Sequence, residues 1–520
     1  MNLTSIRRVA LAATVGIAAL AMAPTIPAFA QEKAITWGKP LEITGFDVHV
    51  AGTVTSWEMY QMVYDTLLTT DETLKLQPGL AESWEQKSPT SYVFKIRAGA
   101  KFSNGRPVVA DDVIGTIERI KDPATASYWS GQLGKVAHLS ALDDHTVQID
   151  LEAPYPNFLP ALAHITAAII PIKELKDGSF DPTKQLLGSG PFVVSEHKQD
   201  ESWTLTRNPH YWREGHPLVD RIDVPIIPDE SARIAALRNG RIDFTTFENP
   251  DAPQALASDP NIKTSTLKTT NYYRLDVNAL KEKSPFHDRR VRQAMNLALD
   301  RQAISDLVFA GTTQPDYPVP AAFGKKACRD LPTYALPREE RLAKARELLA
   351  GAGNTSPEVG LIATSANPVL GRIAQVVQQS LSEVGFKVNI LQQPMAEYLQ
   401  KVFTDGDFDF AASWLAGYTD PTMVISWWNP DFAVWNLAFQ EKVPELSEAL
   451  ADVKTMQDGA DRDAKLEDIC RMIDESANLL ALVSKVDYVV YRADEIAVKV
   501  PESSGSSNIF QYAAEFNALK

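Results

Sequence analysis

Cysteine is nearly absent: 520 residues carry only Cys328 and Cys470. Two thiols exclude a disulfide-dense scaffold, and their spacing leaves open whether they pair or sit apart as small buried residues. Basic residues are also scarce, 51 against 66 acids, for a net charge of −15. That balance argues against nucleic acid or an anionic membrane surface as a partner. Past residue 30 no apolar run reaches the roughly 20 residues of a spanning helix. Catalytic signatures are missing as well. The eight histidines contain no H-E-x-x-H and no pair at i, i+4. Gly324-Lys325 is followed by Lys326 where a phosphate loop needs Ser or Thr, and Gly188-Ser189-Gly190 is too short for a nucleophile elbow. Asp405, Asp407 and Asp409 occupy the first, third and fifth places of a calcium loop. Phe410 stands where that loop needs Gly and Ala416 where it needs Glu, so the loop fails. His49 and His287 lack a partner at ligand spacing. No catalytic residue, metal or cofactor is expected.

What is present begins with an address. MNLTSIRR is a short cationic start, VALAATVGIAALAMA an apolar run, and Ala28-Phe29-Ala30 a cleavage site, so export and cutting after Ala30 are expected. No cysteine lies near the cut, which argues against a lipid anchor. Removing Arg7 and Arg8 with that leader takes the net charge from −15 to −17. The remaining chain of about 490 residues exceeds one hydrophobic core, and two or three domains follow.

Helices alternate with short strands. Tyr92, Phe94 and Ile96 in SYVFKI, and Val147, Ile149 and Leu151 in TVQIDL, fall on one face at period two. A helix with Val113, Ile114 and Ile117 inward is expected to be capped by Asp111 or Asp112. Asp229 caps a helix that Asn239-Gly240 ends, before a strand with Ile242 and Phe244. Val291, Ala294, Met295 and Ala298 mark another helix, and Asp300 caps the next. Leu370, Ile373, Val377, Leu381 and Val384 form a stripe ended by Gly385, with FKVNI as the strand after it. Tyr398, Leu399, Val402 and Phe403 make one more helix before the strand DFDFAASWL. This alternation is α/β grammar, in which ligands bind at the carboxyl ends of strands.

Directly after that last strand comes WLAGYTDPTMVISWWNPDFAVWN, residues 414–436, with four of the ten tryptophans. VYDTLLTTDETLKLQPGLAESWE, FKIRAGAKFSNGRPVVADDV, GSGPFVV, LTRNPHYW, ARIAALRNGRIDF, LDVN, SPFHDRRVRQAMNLALDRQAI, KARELLAGAG and FDFAASWLAGYTDP occur in that order. Together they make the chain resemble the large periplasmic solute-binding proteins of ABC importers, family 5, the dipeptide, oligopeptide and nickel receptor class. The resemblance implies an α/β, two-lobed periplasmic-binding-protein fold, type II-like, with an extra inserted α/β domain. Lobe I would combine 31–73, 186–268 and 490–520, the inserted domain 74–185, and the other lobe 269–489. It further implies a periplasmic monomer that closes by a hinge around a small-molecule ligand and hands it to the permease subunits in the inner membrane.

The tryptophan segment resembles the family loop that contributes most to the ligand pocket. Peptide receptors of this class carry an Asp three positions before the acidic-Pro pair, facing the peptide α-ammonium. Here Asp420-Pro421 is present, but that position is Gly417. A buried ammonium without a carboxylate opposite it costs several kcal/mol or more. The departure therefore favours a glycoside, opine-like or modified-peptide ligand over a plain di- or oligopeptide. Gly417, with Trp414 and Tyr418 beside it, leaves room for a flat apolar wall. Asp420 points inward or caps the turn at Pro421, the cap being favoured. Trp414 and Trp435 are the tryptophans assigned to the pocket, while at least one of Trp427 and Trp428 packs the core. Thr53, Trp129, Phe247 and Tyr273 are further ligand candidates. Arg274 either meets an anionic ligand group or, as favoured, pairs with Asp276. The alternative from another class is a secreted two-domain hydrolase.

Overall fold

A computed structural model describes residues 32–520 apart from 416, 433, 502, 506 and 507, and without the side chains of 415, 434 and 435. The expected leader and its cut after Ala30 lie outside the described residues. The main element is an eleven-stranded mixed sheet. Two long antiparallel strands, Ile262–Val277 and Leu479–Arg492, form its middle. Near one end of this pair, Phe244–Phe247 joins the sheet against Tyr488–Tyr491, followed by Ala34–Gly38, Arg221–Pro225, Ser202–Arg207 and Phe192–Lys198. Near the other end, Phe410–Leu415 pairs with Tyr272–Val277, followed by Glu358–Thr364 and Lys387–Gln393. The two long strands thus pass from one strand group to the other. Their register slips between Lys268 and Tyr272 and again between Tyr272 and Arg274, a local irregularity at the crossing. A separate four-stranded antiparallel sheet is built from Ala81–Ser88, Ser91–Ile96, Thr146–Leu151 and Val136–Asp143.

The sequence patterns account for most of these elements. Tyr92, Phe94 and Ile96 are buried as period two requires, and so are Val147, Ile149 and Leu151. Asp229 accepts from the Ala232 N–H (2.7 Å) and Asp300 from Ala303 (3.0 Å), as capping demands. Leu370, Ile373, Val377 and Leu381 lie buried along the helix Pro368–Ser382, each contributing about 1.5–3 kcal/mol of burial. Two expectations shift. The helix Ala110–Lys121 is capped from inside its first turn, where Asp112 accepts from the Val109 N–H (3.0 Å). Leu399 is exposed, the buried face here being that of Tyr398 and Val402, four residues apart. Cys328 and Cys470 are both buried and bonded to each other, which settles the question that their spacing left open.

One hydrophobic core lies under each strand group. A third runs from the four-stranded sheet (Phe94, Trp129, Phe158) without a break into Tyr418, Trp428 and Phe439 of the later half. That continuity brings the tryptophan segment against the inserted sheet.

Candidate ligand site

The strand Phe410–Leu415 delivers the chain to Gly417, whose N–H donates to Asn271 Oδ1, while the Thr270 hydroxyl donates to the Tyr418 carbonyl (2.9 Å). A Cβ at 417 would lie 2.0 Å from Thr270 Oγ1 and 2.5 Å from the Thr270 carbonyl carbon. Glycine is therefore demanded by backbone approach. The expected open wall beside Gly417 does not exist, since the 270–271 backbone fills it.

Tyr418 is buried across the seam to the inserted sheet, against Trp129 (ring centroids 5.5 Å) and edge-on to His164 (5.8 Å). Trp129 stacks on His164 at 4.1 Å, its Nε1 donates to the Ala161 carbonyl (3.1 Å), and Trp57 meets the imidazole edge-on at 4.7 Å. Trp129 is fully enclosed and forms the platform on which His164 stacks. His164 Nδ1 accepts from the Thr166 N–H (3.2 Å), which puts the ring hydrogen on Nε2. That buried Nε2–H has no partner among the described residues. Burial also pushes the imidazole down to about 3, so it stays neutral. A lone His in the apolar run ALAHITAAII was the only sequence signal for it.

Asp420 is engaged within the protein. Its Oδ1 accepts from Thr422 N–H (2.8 Å) and hydroxyl (2.7 Å), and Arg462 Nη2 reaches both carboxylate oxygens at 2.8 and 2.9 Å. The favoured cap reading holds, and Arg462 neutralises the carboxylate. Asn157 of the inserted domain joins this network through Thr422 and Arg462.

On the middle strand, Tyr272, Arg274 and Asp276 share one face, with Tyr273 on the other. Arg274 Nε lies 2.8 Å from Asp276 Oδ1 and Nη2 3.5 Å from Oδ2, the favoured pairing. Trp427 covers the guanidinium at 5.6 Å. Trp428 is the core member of the tandem pair: it stacks near Tyr272 (6.3 Å) and donates from Nε1 to the Leu479 carbonyl (3.3 Å).

Trp414, opposite Tyr273 in register, is half-buried on that other face, with Lys485 Nζ 5.4 Å from its ring centre. Lys485 is paired with Asp487 and with Glu248 (3.0 Å). Glu248 also accepts from Tyr273 (3.4 Å) and Asn367 (2.9 Å). None of Glu248, Lys485 and Asp487 was singled out from sequence, because only the strand crossing unites them. Burial raises Asp487 to about 6 despite Lys485 beside it. Phe247 is buried in a small core under Arg233 (5.3 Å). Thr53 precedes the helix Val54–Val63, and its hydroxyl is shared with Thr44 (2.9 Å) and Ser56 (3.0 Å). The Trp435 side chain lies outside the described residues. Among the described residues no three His, Cys, Asp or Glu side chains gather as a metal site.

Known proteins share this architecture. The oligopeptide-binding protein OppA of Salmonella typhimurium is 27% identical over 476 residues, covering 86% of each chain. AgaA from A. tumefaciens R10, solved with agropinic acid, superposes with a TM-score of 0.80 at 23% identity over 94% of this chain and 99% of that one. OppA of Haemophilus influenzae, solved with the peptide RPPGFSPFR, gives 0.79 at 21% over 94% and 100%. Residues 75–435 match the sequence model of the bacterial extracellular solute-binding proteins, family 5 middle region. With two strand groups joined by crossing strands and this match over most of its length, the chain belongs to the family-5 bacterial extracellular solute-binding proteins.

Proposed function

We propose that the protein captures a small organic solute in the periplasm, between its two lobes, and delivers it to the permease of an ABC importer. One observation carries this reading. At the seam between the inserted domain and the 417–428 segment, an aromatic group presents a buried donor, His164 Nε2–H, that no acceptor among the described residues meets. An unpaired buried donor costs about 1–3 kcal/mol, and a cargo oxygen placed there would recover it only when the lobes are shut. Asp420 is bound to Arg462, so no carboxylate beside Gly417 is available for an α-ammonium. That favours a glycoside, opine-like or modified-peptide cargo. AgaA, with agropinic acid, is an example of an opine held by this fold.

A plain peptide receptor is the second reading. It draws support from Glu248 and Asp487, two carboxylates around the single cation Lys485 at the strand crossing, which leaves one negative charge for a ligand ammonium. Mass spectrometry of the molecule released on unfolding protein purified from periplasm decides between the two. A molecule without a free amino group supports the first reading and an unmodified peptide the second. Catalytic turnover of the released molecule by the refolded chain would instead support the hydrolase alternative.

A further inference from the structure

Among the deeply buried arginines, Arg292 and Arg301 have every guanidinium nitrogen met, Arg233 and Arg462 leave Nε without a partner among the described residues, and Arg274 leaves a terminal nitrogen without one. Arg292 donates from Nε to the Ser476 carbonyl, from Nη1 to the Phe286 carbonyl and from Nη2 to Glu441. Arg301 likewise finds oxygens on Ala481 and Asn296 for all three nitrogens. Arg274 is as deeply buried, at 3% exposure, yet only its Nε–Nη2 edge faces Asp276. Nη1, with two N–H groups, has no partner among the described residues. Two residues back on the same strand face, the Tyr272 hydroxyl is also buried without a partner among them. An unmet donor on a charged group costs more than a neutral one. A guanidinium offers two edges for planar oxyanions, and here one is occupied and one is open.

We propose that the open edge of Arg274, together with the Tyr272 hydroxyl, receives a carboxylate of the cargo, so that the transported solutes are organic acids. Trp427, half-buried over the guanidinium, covers this position. Tyr418, whose carbonyl accepts from the hydroxyl of Thr270 two residues before Tyr272, is in ring contact with His164 at the seam. Asp276 neutralises the resting guanidinium, so selection rests on geometry and unmet hydrogen bonds more than on bare charge. The inference depends on the receptor reading above.

The test uses the full exported chain, stripped of cargo by unfolding and refolding. A small-molecule extract of the periplasm is split on an anion exchanger into a retained and a flow-through fraction. The retained fraction is expected to raise the melting temperature of the wild type, with Arg274→Gln losing that shift and Tyr272→Phe needing about threefold more extract for it. Circular dichroism checks that Arg274→Gln is folded. If it is not, Tyr272→Phe, which removes one oxygen, carries the test alone. Stabilisation by the flow-through fraction alone, or an equal shift in wild type and variants, means that water fills this edge. That result overturns the proposal and leaves the receptor reading standing. No shift with either fraction overturns both.

Discussion

At the scale of single residues, Gly417 and His164 carry opposite lessons. Gly417 first reads as a site where a missing carboxylate reports on the ligand. Thr270 Oγ1 stands 2.0 Å from where a Cβ at 417 would lie, which makes the glycine a packing requirement instead. Gly417→Ala is expected to destabilise the fold by about 1–3 kcal/mol through overpacking, measured by denaturant unfolding of cargo-free protein. A stability equal to wild type would show that the 270–271 backbone yields. His164→Phe keeps the stack on Trp129 and removes the unmet Nε2–H, while losing the Thr166 bond. Cargo-free stability is expected to change by less than about 1 kcal/mol, because the two terms offset each other. Affinity for the released solute is expected to fall about tenfold, about 1.4 kcal/mol, by calorimetry. Unchanged affinity would remove His164 from the site.

At the scale of elements, the segment after the helix Arg301–Phe309 is held by two devices. Asp316 Oδ1 accepts from the Tyr317 and Ala321 N–H groups (2.9 Å each), and burial raises this carboxyl from 3.8 to about 7. A carboxyl whose folded value is raised stabilises below its unfolded value, and that contribution is lost as pH rises towards and through 7. Asp316→Asn keeps an oxygen acceptor and loses the charge. Its stability relative to wild type is therefore expected to increase between pH 5 and pH 8, by at most about 3 kcal/mol, in thermal unfolding at the two pH values. A difference independent of pH would contradict the burial argument. The second device is the bond from Cys328 to Cys470 on the helix Ala460–Ser476, spanning 142 residues. Cys328→Ala with Cys470→Ala is expected to cost about 2–5 kcal/mol, read from denaturant midpoints, and the same loss should follow reduction of the wild type.

At the scale of the molecule, the two strand groups meet away from the seam as well. Arg372 on the helix Pro368–Ser382 reaches Asn249 (2.7 Å) and Asp251 (3.0 Å), next to the Asn367–Glu248 bond. These contacts join the groups without touching the seam at Tyr418, so they bias closure by a small amount, about 0.2–1 kcal/mol for exposed pairs. Arg372→Ala is expected to weaken cargo binding about two- to fivefold by calorimetry. Small-angle scattering of the cargo-free variant should show an expanded particle. Unchanged values in both experiments would mean that these contacts survive opening.

The sequence by itself determined the α/β alternation, the caps at Asp229 and Asp300, the apolar faces of the helices and, through ordered motifs, the family. Each of these depends on neighbours within a few residues, where periodicity and local hydrogen bonding decide the outcome. The Arg274–Asp276 pair and the Asp420 cap were legible for the same reason. Only the tertiary structure decided that Phe247 and Trp129 are buried, that Cys328 meets Cys470, and that Thr270 fills the space beside Gly417. The unmet donors of His164 and Arg274 came from the same source. Whether a buried polar atom has a partner depends on groups distant in the chain, and no local pattern encodes that.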